Sequence, residues 1–407
     1  MKNLFFTFII GLFTVSKASA QYKFDNTAYK TVYINDLCNE LRKSSNALLL
    51  DVRSAGEYSD TSVYTGLNIG HLKGAVNINV RELGKRLGEL KDYKNQPVYV
   101  YCSHSQRSRV SSKMLADSGF TNVVNVNGGM TEMNLLRNSA DPCLQDLYAT
   151  NNHFKILSTG DVVHLLSNRR DISIIDVRAD SAYKSISKIA KLNAFGHIRG
   201  SINIPSSKIS ESLSKIPQNK PVLLVDNYGD ESIKIAKLLS EQGYTDVSVL
   251  FNGLDNWVSE KTMPEKEKLW IHSKDYGFIT AEEFDYSMAH NPPALLLDVR
   301  TRDEFTNREK TKTYLNRGHI QNAVNTPLGE LNAKLTEMAA YKDKSIVVYA
   351  FSNNPEAFEA AKFLADNGFE KVKVLTGGLW NVRWKAANIK GLAHLMKWVV
   401  DVPSDNL

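Results

Sequence analysis

The sequence predicts three tandem α/β domains, each a parallel sheet with helices on both faces. Three repeated markers carry this expectation. An apolar run ending in Asp-Val-Arg occurs at Leu48–Arg53, Ser173–Arg178 and Leu295–Arg300. A Gly-His pair follows at Gly70-His71, Gly196-His197 and Gly318-His319. A Gly-aromatic pair comes last, at Gly119-Phe120, Gly243-Tyr244 and Gly368-Phe369. The Asp-Val-Arg copies lie 125 and 122 residues apart. That period is far too long for a solenoid, so each copy is a complete domain.

Within each unit the elements follow in a fixed order. The run ending in Asp-Val-Arg is short, apolar and bounded, which reads as a buried strand. A second strand follows Gly-His, as at Ala75–Ile78. A third is Val98–Tyr101, matched by Val222–Val225 and Ile346–Tyr349. A helix comes next, with Met114 and Leu115, Leu238 and Leu239, or Phe363 and Leu364 on its apolar face. The glycine of the last marker ends it, as expected just beyond a helix C-terminus. A final strand spans Val123–Val126, Val247–Leu250 and Val372–Leu375. Strands that alternate with helices make a parallel sheet, whose ligands sit beyond the strands' carboxyl ends. The domains are expected at 29–138, 153–258 and 275–388, with a C-terminal tail at 389–407. The joints fall near 139–152 and 259–274. The second contains Glu265-Lys266-Glu267-Lys268, read as a solvated linker.

The chain has 407 residues, 43% of them hydrophobic and 23% charged, ordinary values for globular protein. The formal net charge of +6 is spread thinly, with no basic run to bind nucleic acid. The first twenty residues differ from the rest. Lys2 precedes an apolar stretch from Leu4 to Phe13, and Ala18-Ser19-Ala20 supplies small residues for cleavage before Gln21. This reads as a secretory signal peptide at 1–20. The stretch is shorter than the roughly 20 residues needed to span a bilayer. The expectation is an exported protein, in a bacterial periplasm, with no membrane attachment after cleavage. Export brings an oxidising compartment, yet the chain has only 3 cysteines, so at least one thiol stays free.

Cys102 follows the third strand of the first unit directly, and Ser103-His104-Ser105-Gln106-Arg107-Ser108 leads from it into a helix. Loop N–H groups and the helix dipole converge there on one small volume. Such a cradle favours an anion, and with it the thiolate nucleophile. Arg107 adds a positive charge suited to an oxyanion.

Together, the Asp-Val-Arg, Gly-His, strand–Cys-loop and Gly-Gly markers resemble the rhodanese family in three copies, over nearly all the mature chain. The resemblance implies α/β sulfurtransferases in which a cysteine carries sulfane sulfur as a persulfide. Cys102 matches that catalytic position. Ser103, His104, Ser105, Gln106, Arg107 and Ser108 match the loop that binds substrate. The Cys-x4-Arg spacing is that of sulfurtransferases, whereas related phosphatases and arsenate reductases carry Cys-x5-Arg. Ser105 departs from the family, which often has glycine there. The resemblance implies thiosulfate or another small anionic sulfane donor and a thiol or cyanide acceptor; the residue spacings lead to the expectation of no cofactor and no metal. The second unit places Asp226 where the first has Cys102. The third places Phe351 there, or Ala350 with one gap. Arg107 becomes Glu231 and then Glu356. Both later units are expected to be inactive, and either to pack against the first domain or to bind a protein partner. The alternative is an exported binding or scaffold protein in which Cys102 is vestigial or redox-sensing.

Asp51, Arg53 and His71 recur in the units that lack the cysteine, which marks them as architectural. His104 is unique to the first loop and could assist protonation, contact substrate or face solvent. Arg109 and Lys113 are expected on an exposed helix face, with attraction of anions to the loop as the alternative. Cys38 falls on the apolar side of a helix. Cys143, in the first joint, could pair with Cys38, resolve Cys102, or do neither. No Cys/His cluster has metal-ligand spacing.

Overall fold

The computed structural model describes residues 28–403, apart from 45, 139–140, 170, 262 and 274. The expected signal peptide lies outside the described residues. Three five-stranded parallel sheets are present. The first runs, in spatial order, Lys30–Tyr33, Val123–Asn127, Val98–Tyr101, Leu48–Asp51 and Val76–Asn77. The second and third repeat this order with strands beginning at Lys155 and Gly277. The outer strand that opens each sheet was not expected from sequence. Lys30-Thr31-Val32-Tyr33 is short and half polar, so it shows no apolar run.

Parity along the third strand decides what Cys102 packs against. Side chains alternate between the faces of a strand. Val98, Val100 and Cys102 therefore share one face, in a buried cluster with Leu50, Leu115 and Phe120. Tyr99 and Tyr101 point to the other face, and their apolar cluster runs on through Met133 and Ile156 into the second domain. Fully burying each such aliphatic side chain contributes about 1.5–3 kcal/mol. The first two domains thus share a core.

The segments expected as linkers and tail are built into the domains. A helix, Pro142–Leu147, leads into strand Tyr148–Ala149, which pairs antiparallel with His71–Leu72. Pro264–Leu269 and Trp270–Ile271 do the same against His197–Ile198. In the third domain, Val399–Val400 closes on His319–Ile320, so residues up to 400 complete a domain instead of trailing from it. Lys266, expected in solvent, is 2% exposed. Its Nζ donates to the Glu260 carbonyl at 2.7 Å and lies near the Trp257 and Trp270 rings. Proline at the first helical position and an aromatic residue at the end were the missed signals.

The recurring residues are architectural. Arg53 donates to Asp51 and, at 2.8 Å, to the Gly70 carbonyl, all fully buried. Arg178–Asp176 and Arg300–Asp298 repeat this pair. Each Gly-His ring stacks on an aromatic neighbour, Tyr58, Tyr183 or Phe305. Cys38 and Cys143 form a disulfide that staples the closing helix to the first domain, and Cys102 is the free cysteine.

The domains also form a closed ring. Thr65 and Gly66 of the first domain donate to Asp230 of the second. Asn353 of the third donates to Asp255 and Ser259 of the second. Arg109 and Asn127 of the first donate to the Ala387 carbonyl of the third. Arg109, expected at an exposed face, is therefore 2% exposed inside a domain interface. Lys113 does face solvent, paired with Asp117.

Candidate active site

Strand Val98–Tyr101 delivers Cys102 to the carboxyl edge of the first sheet, and helix Gln106–Asp117 starts four residues later. Cys102 is 1% exposed. The Ser105 N–H donates to its Sγ at 3.1 Å, and Ser108 Oγ lies 3.8 Å from it. Ser108 Oγ also reaches Asn125 Oδ1 at 2.7 Å, which fixes its rotamer. The sulfur therefore sits at a helix N-terminus, where the Ser105 N–H donates to it and the Ser108 hydroxyl, its own proton committed to Asn125 and the Ser105 carbonyl, accepts from the thiol.

Ser105 has a φ of +117°, a region that favours glycine. Its counterpart in the second domain is Gly229, with a φ of +92°. The loop shape is thus kept without the glycine, at a strain of order 1–3 kcal/mol. Ser105 gains something glycine lacks: its Oγ accepts from the buried Gly128 N–H at 2.7 Å. In the third domain Asn353 accepts from the equivalent Gly377 N–H.

Arg107 does not stand free. Its two terminal nitrogens donate to the two oxygens of Glu57, each at 2.7 Å, and one also donates to Ser103 Oγ at 2.9 Å. Glu57 is buried and also accepts from Ser54, closing a capping box around Ala55–Tyr58. Burial would raise the Glu57 carboxyl, but Arg107 and Ser54 outweigh it and hold it down to about 2. Sequence reading missed Glu57. The Ser54-x-x-Glu57 spacing was visible as a helix start, with nothing to link it to a loop 50 residues on.

His104 is exposed, though protein from all three domains surrounds it. Its Nδ1 lies 2.8 Å from Ser103 Oγ. The surrounding protein, and then the Arg107 charge, push the imidazole below its ordinary value. Gln106 is exposed at the start of the helix, on the rim of the site.

The second domain shows what this loop geometry holds. Asp226 accepts the N–H groups of Gly229 at 2.7 Å, Glu231 at 2.8 Å and Ser232 at 3.1 Å. These are the counterparts of Ser105, Arg107 and Ser108. Burial nevertheless pushes its carboxyl up to about 6. In the third domain the choice between Phe351 and Ala350 is settled by backbone bonds. The Cys102, Asp226 and Ala350 carbonyls accept from Met130, Leu254 and Leu379 in the same way. Ala350 is the counterpart, and that loop is one residue longer before helix Pro355–Asp366.

Among the described residues, Cys38, Asp141 and Cys143 cluster as metal ligands would, but both sulfurs are committed to the disulfide. No helix among the described residues is long and apolar enough to cross a membrane.

The rhodanese-like domain family matches the chain three times, over 35–135, 159–260 and 280–387. The chain is 31% identical over 129 residues to the uncharacterized protein YqhL of Bacillus subtilis, covering 32% of this chain and 90% of that one. It is 29% identical over 103 residues to the thiosulfate sulfurtransferase GlpE of Coxiella burnetii, covering 25% of this chain and 87% of that one. A solved rhodanese-like domain protein from Staphylococcus aureus is 24% identical, with a TM-score of 0.22, over 25% of this chain and 90% of that one. The fold, the loop and the threefold match agree: the chain belongs to the rhodanese family and consists of three rhodanese-like domains.

Proposed function

We propose that this protein is a sulfurtransferase that carries sulfane sulfur as a persulfide on Cys102. One observation carries the reading. The only free cysteine occupies a loop whose copy in the second domain holds a carboxylate in three N–H groups. The same cradle around Cys102 suits a thiolate and, after it, a persulfide anion. Ser105 N–H already points at the sulfur, and the helix N-terminus adds its dipole. Arg107, neutralised by Glu57, shapes the rim and leaves the donors to bind the anion.

The donor is thiosulfate or a related small anion. Cys102 thiolate attacks its outer sulfur. A new S–S bond forms, the donor's S–S bond breaks, and sulfite leaves with the electron pair. A thiol acceptor, or cyanide in an assay, then attacks the outer sulfur and Cys102 thiolate is released. Two displacements through a covalent enzyme form give ping-pong kinetics. Names of relatives support the donor class, as GlpE of Coxiella burnetii is called a thiosulfate sulfurtransferase. Domains two and three take no part in bond breaking, since Asp226 fills its own cradle and Ala350 has no nucleophile. We further propose an exported protein: the first twenty residues have the pattern of a signal peptide, and the Cys38–Cys143 disulfide suits an oxidising compartment such as the periplasm.

The test is thiocyanate formation from thiosulfate and cyanide. The expected result is parallel double-reciprocal lines and complete loss in Cys102→Ser. Turnover that survives in Cys102→Ser, or a folded wild type with none, overturns the reading.

A further inference from the structure

Equivalent positions of the three domains face a single chamber of about 500 Å³. His104, Tyr228 and Ser352 each stand two residues beyond Cys102, Asp226 and Ala350, and all three line it. The two later loops, which cannot carry sulfur, therefore open onto the space that the Cys102 loop faces.

The lining differs in chemistry from the Cys102 cradle. Tyr228 is 45% exposed and Trp380 is 40% exposed, large rings in the wall of an open cleft, with Lys191 Nζ 4.7 Å from the Tyr228 ring centroid. They come from different domains, and Trp384 adds a third ring. Exposed aromatic rings in the wall of a cleft offer flat apolar contact that water does not satisfy. The charges are largely matched. Lys191 Nζ lies 2.9 Å from Asp255, and Lys385 Nζ lies 2.7 Å from Glu282. Glu260 adds a further carboxylate to the lining. Such walls do not suit a phosphorylated or polyanionic ligand.

Building on the sulfur-transfer reading above, we propose that this chamber is the acceptor site, and that it takes a thiol carrying a flat aromatic ring. Tyr228 and Trp380 are its specificity-determining residues, which gives the two inactive domains a direct part in the reaction. The small anionic donor uses the Cys102 cradle, and the larger acceptor enters past His104. The acceptor thiolate attacks the outer sulfur of the Cys102 persulfide. A new S–S bond forms, the Cys102 S–S bond breaks, and the electron pair returns to Cys102 as thiolate. The acceptor leaves as a persulfide.

The experiment separates the two half-reactions in the full chain. Loading is read as the mass gained on Cys102 with thiosulfate. Unloading is read with benzyl mercaptan and with 2-mercaptoethanol, thiols of similar acidity that differ in the ring. In Trp380→Ala and Tyr228→Ala, loading is expected to match wild type. KM for benzyl mercaptan is expected to rise about tenfold, with kcat and the KM for 2-mercaptoethanol little changed. Trp380→Phe is expected to recover most of the loss. Normal loading with no preference for the ring, or equal effects on both thiols, overturns the chamber as acceptor site. Absence of loading in the wild type overturns the sulfur-transfer reading, and this proposal falls with it.

Discussion

Glu57 joins two elements that meet only in the folded chain. Its carboxylate caps Ala55–Tyr58 and grips Arg107 with two bonds of 2.7 Å. Its carboxyl is held to about 2, against an ordinary 4.5. A carboxyl lowered in the folded state stabilises the fold fully above the unfolded value, and that stability is lost as pH falls toward the folded one. The window here runs from 4.5 down to about 2, and the shift corresponds to on the order of 3 kcal/mol. Glu57→Gln is expected to lower the urea midpoint at pH 6 and to flatten the wild-type decline between pH 4.5 and pH 2. Sulfur transfer is expected to fall as well, since Arg107 and Ser103 lose their anchor. An unchanged acid limb in the variant contradicts this role.

The Cys102 loop illustrates what was legible at the level of elements. Cys102 could be placed from the apolar run before it and the helix after it, because both signals are local. The gap in the third loop could not be placed, because Ala350 and Phe351 are both compatible with the spacing. Only the backbone bond from Leu379 distinguishes them. Ser105 keeps a left-handed backbone through its bond to Gly128, a partner 23 residues away. The closing helices and two-residue strands were mistaken for linkers because each has too few residues to show a period. Lys266 shows the cost of reading charge as solvation. A Glu-Lys alternation reads as surface, yet the lysine stem lies between Trp257 and Trp270 and its ammonium finds a carbonyl.

At the scale of the molecule, the ring of domains brings like charges together. Glu132, Glu260 and Glu282 come from the first, second and third domains and interact at one junction with Lys385. Glu132 is 5% exposed and one of its oxygens has no partner. Burial, then the Glu260 carboxylate, pushes it up to about 7. A carboxyl raised in the folded state has the opposite sign from Glu57. The fold is favoured below the unfolded value of 4.5, and stability falls as pH rises through about 7. Glu132→Gln is expected to raise the melting temperature at pH 8, by an amount corresponding to about 1–3 kcal/mol, and to change little at pH 4. An equal shift at both pH values contradicts a titrating interface. None of this junction was legible in the sequence, since Glu132 and Lys385 each lie more than 100 residues from the other members.

Mass spectrometry of the full chain answers directly whether Cys102 takes up sulfur. After exposure to thiosulfate and removal of excess donor, the peptide containing Cys102 is expected to gain about 32 mass units, reversed by a thiol. Cys102→Ser should gain nothing. A folded wild-type protein whose Cys102 peptide stays at its original mass across a panel of sulfane donors contradicts sulfur transfer by this protein.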